Sequence, residues 1–171
     1  MNLRTLPQAA SAALMLAACA AVTPTPVPDA LRPGAGATLA MTASARGVQV
    51  YECRAGQWTF VAPEAELFDA AGCTIGTHGA GPTWQANDGS RVVASVTTRA
   101  DAPVAGAIPW LLLTARRASE SHDTHGLLVG ITHIQRVNTA GGSAPAGACQ
   151  TPGQPLRVAY AADYRFYRSQ P

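Results

Sequence analysis

"LRVAYAADYRFYR", residues 156–168, carries the clearest periodicity in the chain. Leu156, Val158, Tyr160, Ala162, Tyr164 and Phe166 fall on one side of an extended backbone, and Arg157, Asp163 and Arg165 on the other. Successive side chains of a strand point to opposite faces, so this alternation is that of a half-buried antiparallel strand. The same pattern extends upstream. "RGVQVYECR" (46–54) and "QWTFVA" (57–62) are β-rich runs joined by a tight turn at Ala55-Gly56. "SRVVASVTTRA" (90–100), "IPWLLLTARR" (108–117) and Ile131 to Asn138 add further runs. "GTHGAGPTWQANDGS" (76–90) reads as two short strands and two turns, with Asn87-Asp88-Gly89 as a hairpin turn closed by the Asp88 side chain. "PEAELFDA" (63–70) has proline at a first-turn position and is the one segment read as a short helix. The expected fold is mainly β: a single antiparallel β-sandwich or barrel-like domain with at most one or two short helices.

Length and composition agree with one domain. A chain of 171 residues, 47% hydrophobic, can bury one sizeable core. Net charge is +2, and the 12 basic residues, all arginine, form no run or stripe. Nucleic-acid binding needs clustered positive charge, so that class is excluded.

The chain begins "MNLRTLPQAASAALMLAACA". Arg4 supplies a positive start, and the apolar run Ala9 to Ala18 is too short to span a bilayer. Residues 1–18 therefore read as an export signal. Leu16-Ala17-Ala18-Cys19 resembles the bacterial lipobox, which implies lipidation of Cys19. Ala20 stands where an aspartate would retain such a protein at the inner membrane, so the resemblance points to the outer membrane, facing the periplasm or the cell surface. Pro24, Pro26, Pro28 and Pro33 make residues 19–37 a lipidated, proline-rich tether, with the β-rich domain spanning 38–171.

Candidate chemistry is sparse. His122-Asp123-Thr124-His125, with His133 on the next strand, has a metal-like spacing but sits in a polar loop, and no metal site is expected. No Gly-x-Gly-x-x-Gly follows a strand, so no dinucleotide or other cofactor is expected. Cys73 or a serine can be paired on paper with His78 and Asp88, but there is no Gly-x-Ser-x-Gly elbow. Glu64, Glu66 and Asp69 share one short segment and read as its solvated face. Trp58, Trp84 and Trp110 read as core before ligand platform. Gln135, Arg136 and Asn138 are polar residues in an otherwise β-like run, one of them read as satisfying backbone groups at a sheet edge. The best ligand-binding set is His78, Trp84 and Asp88, with His78 beside Trp84. Besides Cys19 the chain has Cys53, Cys73 and Cys149, and spacing alone leaves all three pairings open.

Six blocks in order carry a resemblance: "RGVQVYEC", "PEAELFDAAG", "GTHGAGPTW…DGS", "AIPWLLLTA", "ITHIQRVNTAGGSAPAGAC" and "YAADYRFY". Together they look like domain of unknown function 3455, a family of exported bacterial and fungal proteins. The resemblance implies a Cys53–Cys149 disulfide, leaving Cys73 as a free thiol expected to be buried, and implies no activity. A narrower likeness, over the Tyr-x-Cys strand start and the late cysteine, is to periplasmic lysozyme inhibitors of the membrane-bound C-type class. The expected function is an exported, lipid-anchored envelope protein that binds or supports without catalysis. Its expected partners are the membrane, through the anchor, and a small molecule or envelope protein. The alternatives are a secreted enzyme using His78 and Asp88, or a lysozyme-inhibitor-like protein.

Overall fold

The structure, a computed structural model, describes residues 25–118 and 125–169. Eight strands follow in order: β1 (Ala37–Arg54), β2 (Gln57–Phe68), β3 (Thr74–Gly79), β4 (Thr83–Ala86), β5 (Arg91–Ala100), β6 (Trp110–Ala118), β7 (His133–Gly141) and β8 (Pro155–Ser169). Each pairs antiparallel with its sequence neighbour, and β1 pairs with β8, so the sheet closes into an up-and-down barrel. The closure removes both sheet edges and resolves the sandwich-or-barrel alternative in favour of the barrel.

The alternation in β8 sets the inside and the outside. Tyr160, Ala162, Tyr164 and Phe166 are buried in the interior, whereas Arg157 is exposed on the outer face. Small inward residues on β1, Ala43 and Ala45, leave room for large ones contributed by other strands, above all Trp84, Tyr164 and Phe166. Gly47 belongs to the same row. A Cβ there would lie 2.1 Å from the Glu64 carbonyl oxygen, so only glycine lets β1 approach β2 this closely. Outside, Arg46, Glu64, Glu66, Arg91 and Arg157 face solvent. An apolar interior and a charged exterior are the reverse of a barrel that faces lipid.

Two expectations about local structure are corrected here. The segment 63–70 is not helical, because Pro63, Ala65 and Leu67 point inward while Glu64 and Glu66 point out, and that period of two continues β2 through Phe68. Proline is tolerated at position 63 because β3 begins pairing with β2 only at Ala65, so no neighbour on that side needs its missing N–H. The folded body also starts before Thr38. A 3-10 turn, Asp29–Leu31, lays Leu31 against Trp110, Leu112 and Val137 on the outer face of the barrel. Gln135 fastens it, donating from Nε2 to the Leu31 carbonyl while Oε1 accepts from the Tyr167 hydroxyl at 2.7 Å. Because β7 is thus covered on both faces, its alternation is blurred in the sequence.

The two barrel ends differ. At the end carrying the β4–β5 turn, Leu128 and Ile131 from the segment before β7 plug the interior. The opposite end carries the β1–β2 turn, in which Ala55 and Gly56 both have positive φ, 49° and 76°, as a two-residue hairpin turn requires. A Cys53–Cys149 disulfide ties the long β7–β8 connection to that end, with 5.7 Å between the Cα atoms. Cys73 is free, as the resemblance implied, but exposed instead of buried. It ends the β2–β3 turn, where its backbone N–H and that of Ala71 donate to Asp69 Oδ1 at 2.9 Å.

Candidate functional site

A cavity of about 360 Å3 occupies the barrel interior toward the disulfide end. That volume is within the roughly 300–1,000 Å3 typical of small-molecule sites. It exists because β3 and β4 are short and stop below the rim, leaving upper β2 without a partner on one side. Phe60, Val61 and Val96 line the opening and stay about half exposed, at 50%, 45% and 46%. Leu111, Leu113 and Ile108 form apolar wall deeper in.

His78 and Trp84 meet at this wall. They face each other across the β3–β4 ladder and their rings stack 4.4 Å apart at 13°. Tyr164 packs edge-on against both, with centroids 4.9 and 5.4 Å away. The His78 Nδ1 lies 2.9 Å from the Thr83 carbonyl oxygen. Since that oxygen can only accept, Nδ1 is assigned the proton and Nε2 is left as an acceptor. Burial pushes the imidazole pKa down to about 4, partly offset by the Thr83 bond and reinforced by the nearby Arg136 charge. The ring is therefore neutral near pH 7.

Asp88 does not join them. It sits in the β4–β5 turn at the plugged end, where Oδ1 accepts from the Ser90 N–H at 2.9 Å and the Ser90 hydroxyl at 2.6 Å. Its Oδ2 accepts from the Leu127 N–H at 2.6 Å, and the Ser90 hydroxyl oxygen accepts from the Leu128 N–H at 3.1 Å. These bonds, the Ser90 hydroxyl first, hold the Asp88 carboxyl below its ordinary pKa. Asp88 closes its turn as expected and also latches the plug. The His78–Asp88 pair needed for the enzyme alternative is not assembled.

The polar character of the cavity comes from residues not singled out as ligands. Arg136 points inward from β7 and donates from Nε and Nη2 to the Pro109 carbonyl at 3.1 and 2.8 Å. Among the described residues no carboxylate pairs with it, and none lines the cavity. Gln49 and Trp84, both on the wall, each bury a nitrogen, Nε2 and Nε1, with no hydrogen-bond partner among the described residues. Tyr51 donates to the Gly142 carbonyl at 2.7 Å. Desolvation raises the pKa of Tyr51, Tyr160 and Tyr164, so their hydroxyls remain neutral. Parity was the available signal: Arg136 is two residues from the inward Ile134, and Gln49 two from Gly47 and Tyr51.

Other candidates fall elsewhere. Trp110 is buried under Leu31 outside the barrel, and Trp58 pairs with Cys53 beside the disulfide. Asn138 adopts φ 52° at a β7 irregularity and donates to Asp163 Oδ2 at 2.7 Å. His122 lies outside the described residues, as does Cys19. Among the described residues no group of three metal-ligating side chains gathers, and no helix is long and apolar enough to cross a membrane.

No curated protein and no solved structure matches the chain. A family model described as "Protein of unknown function (DUF3455)" matches residues 33–168, from just after the docked 3-10 turn to Arg168 near the end of β8. The disulfide, the His78–Trp84 stack and the whole cavity fall within that match, and the chain belongs to this family.

Proposed function

We propose that this protein is an exported, lipid-anchored envelope protein whose barrel binds a small molecule without transforming it. The observation that carries the binding reading is the cavity itself. It has an apolar wall, an apolar rim and a few buried polar groups, which is the usual composition of a ligand site. An eight-stranded barrel is just wide enough inside to be filled by side chains or to hold one small ligand. Here one end is filled and plugged while the other is open. Among the described residues no serine, cysteine or carboxylate lines the opening, and the neutral His78 bonds to a backbone carbonyl, which favours binding over acyl transfer or hydrolysis.

Export and anchoring rest on the N-terminal sequence, with Cys19 the acylated residue and the outer membrane, at its periplasmic or outer surface, the destination. The Cys53–Cys149 bridge is compatible with an oxidising compartment. Two experiments test the proposal. Labelled palmitate enters the wild-type protein, and Cys19→Ala gives a soluble periplasmic form; equal membrane retention of both removes the anchor from the reading. Native mass spectrometry of that soluble form, isolated from envelope extract, shows a mass adduct that is lost when Leu113→Trp fills the cavity. An adduct that survives Leu113→Trp in a folded variant places binding elsewhere.

A further inference from the structure

The cavity wall has an unbalanced polar inventory. Two arginines line it, Arg136 within and the exposed Arg99 at the rim, and among the described residues no acidic side chain does. The buried nitrogens without partners, Gln49 Nε2 and Trp84 Nε1, are both N–H donors. Arg136 adds to this surplus. Its Nε and Nη2 are both engaged by the single Pro109 carbonyl. Tyr51, Tyr160 and Tyr164, near enough to sense the Arg136 charge, are themselves neutral. Buried donors without acceptors, and a partly buried cation without an anion, are both costly arrangements. A ligand that brings one negative charge into the cavity relieves the second of these, at Arg136.

The remaining surface is apolar. Leu111, Leu113 and Ile108 lead from Arg136 and Pro109 outward to Val96, Val61 and Phe60 at the opening. Extending the small-molecule reading above, on which this depends, we propose that the cavity selects a small carboxylate with an apolar body. The carboxylate sits on Arg136, and the body runs along the leucines to the rim. A single interior guanidinium matches one negative charge; a phosphate dianion would call for a second interior cation, and Arg99 is out in solvent.

The test uses the full-length chain carrying Cys19→Ala, so that no attached acyl group competes for the cavity. Straight-chain carboxylates from butyrate to dodecanoate, the alcohols of equal length and the corresponding alkyl phosphates are titrated calorimetrically at pH 8. The expected result is that at the best chain length the carboxylate binds at least about tenfold tighter than the alcohol, the scale of a charge-assisted hydrogen bond. Arg136→Gln abolishes that preference while leaving alcohol binding, and Arg136→Lys keeps part of it. Equal binding of carboxylate and alcohol to the wild type overturns the proposal while leaving the cavity reading standing. Tighter binding of the phosphate overturns it in the same way. Binding of none of the three series overturns both. If Arg136→Gln fails to fold for want of its Pro109 anchor, the wild-type ratio and the Arg136→Lys ratio decide.

Discussion

Lowering the pH from 7.5 to 5 should destabilise the barrel through His78. In the unfolded chain the imidazole titrates near 6.5, and in the folded barrel burial holds it near 4. Between those values the unfolded state binds a proton that the folded state refuses, so stability rises with pH and is lost as pH falls through this window. At about 1.36 kcal/mol per pKa unit the full gap is worth ~3 kcal/mol. At pH 5, where the unfolded imidazole is almost wholly protonated and the folded one almost wholly neutral, about 2 kcal/mol has gone. For a domain of this size that loss lowers Tm by roughly 5–10 °C. The depressed carboxyls of Asp88, Glu52 and Glu64 act in the same direction but at lower pH, below their unfolded values of 3.8 and 4.5. Thermal melts at pH 7.5, 6.5, 5.5 and 5 therefore isolate the imidazole when wild type is set beside His78→Gln. The variant should melt lower at pH 7.5 and show a much flatter pH dependence. A wild type whose Tm is level from pH 7 to 5, or a variant that retains the full slope, would show that His78 is not a buried neutral ring.

Three further perturbations probe other parts of the barrel. Trp84→Ala removes a fully buried indole and its contacts with His78, Tyr164 and Phe166, and should cost roughly 3–5 kcal/mol by urea melts; a Tm within a degree or two of wild type would contradict its place in the core. Asp88→Ala strips the acceptor from the Leu127 N–H and the Ser90 hydroxyl, so it should cost about 1–3 kcal/mol and speed amide exchange at Leu127 and Leu128 before the rest of the barrel, with unchanged exchange there counting against the latch. Native protein should take up one maleimide at exposed Cys73, and non-reducing peptide mapping should link Cys53 to Cys149. Breaking that bridge, which spans 96 residues, should cost at most about 4–5 kcal/mol.

The β class was legible because inward and outward residues alternate without interruption in "LRVAYAADYRFYR", and a period of two is what the pleat of a strand imposes on a chain buried on one face. The Asn87-Asp88-Gly89 turn was legible for a similarly local reason, since an aspartate side chain can reach the backbone N–H two residues on. The cysteine pairing came from the family likeness and not from spacing. Closure of the barrel was not legible: it depends on β1 meeting β8 across more than a hundred residues, and no local pattern encodes which edge strands meet. Reading the segment 63–70 as a helix failed because proline fits a first helical turn and an unpartnered strand position equally well, and only the shortness of β3 supplies the second. His78 and Trp84 were found together because they are cross-strand neighbours in one tight hairpin. Asp88 was grouped with them by nearness in sequence, yet a strand carries its far end to the opposite side of the barrel. Gln49 was not singled out in the sequence and Arg136 was read only as a polar group at a sheet edge, because their meaning is tertiary. A guanidinium facing a cavity without a carboxylate becomes a binding feature only when β1 and β7, separated in sequence by most of the domain, are wrapped around the same space.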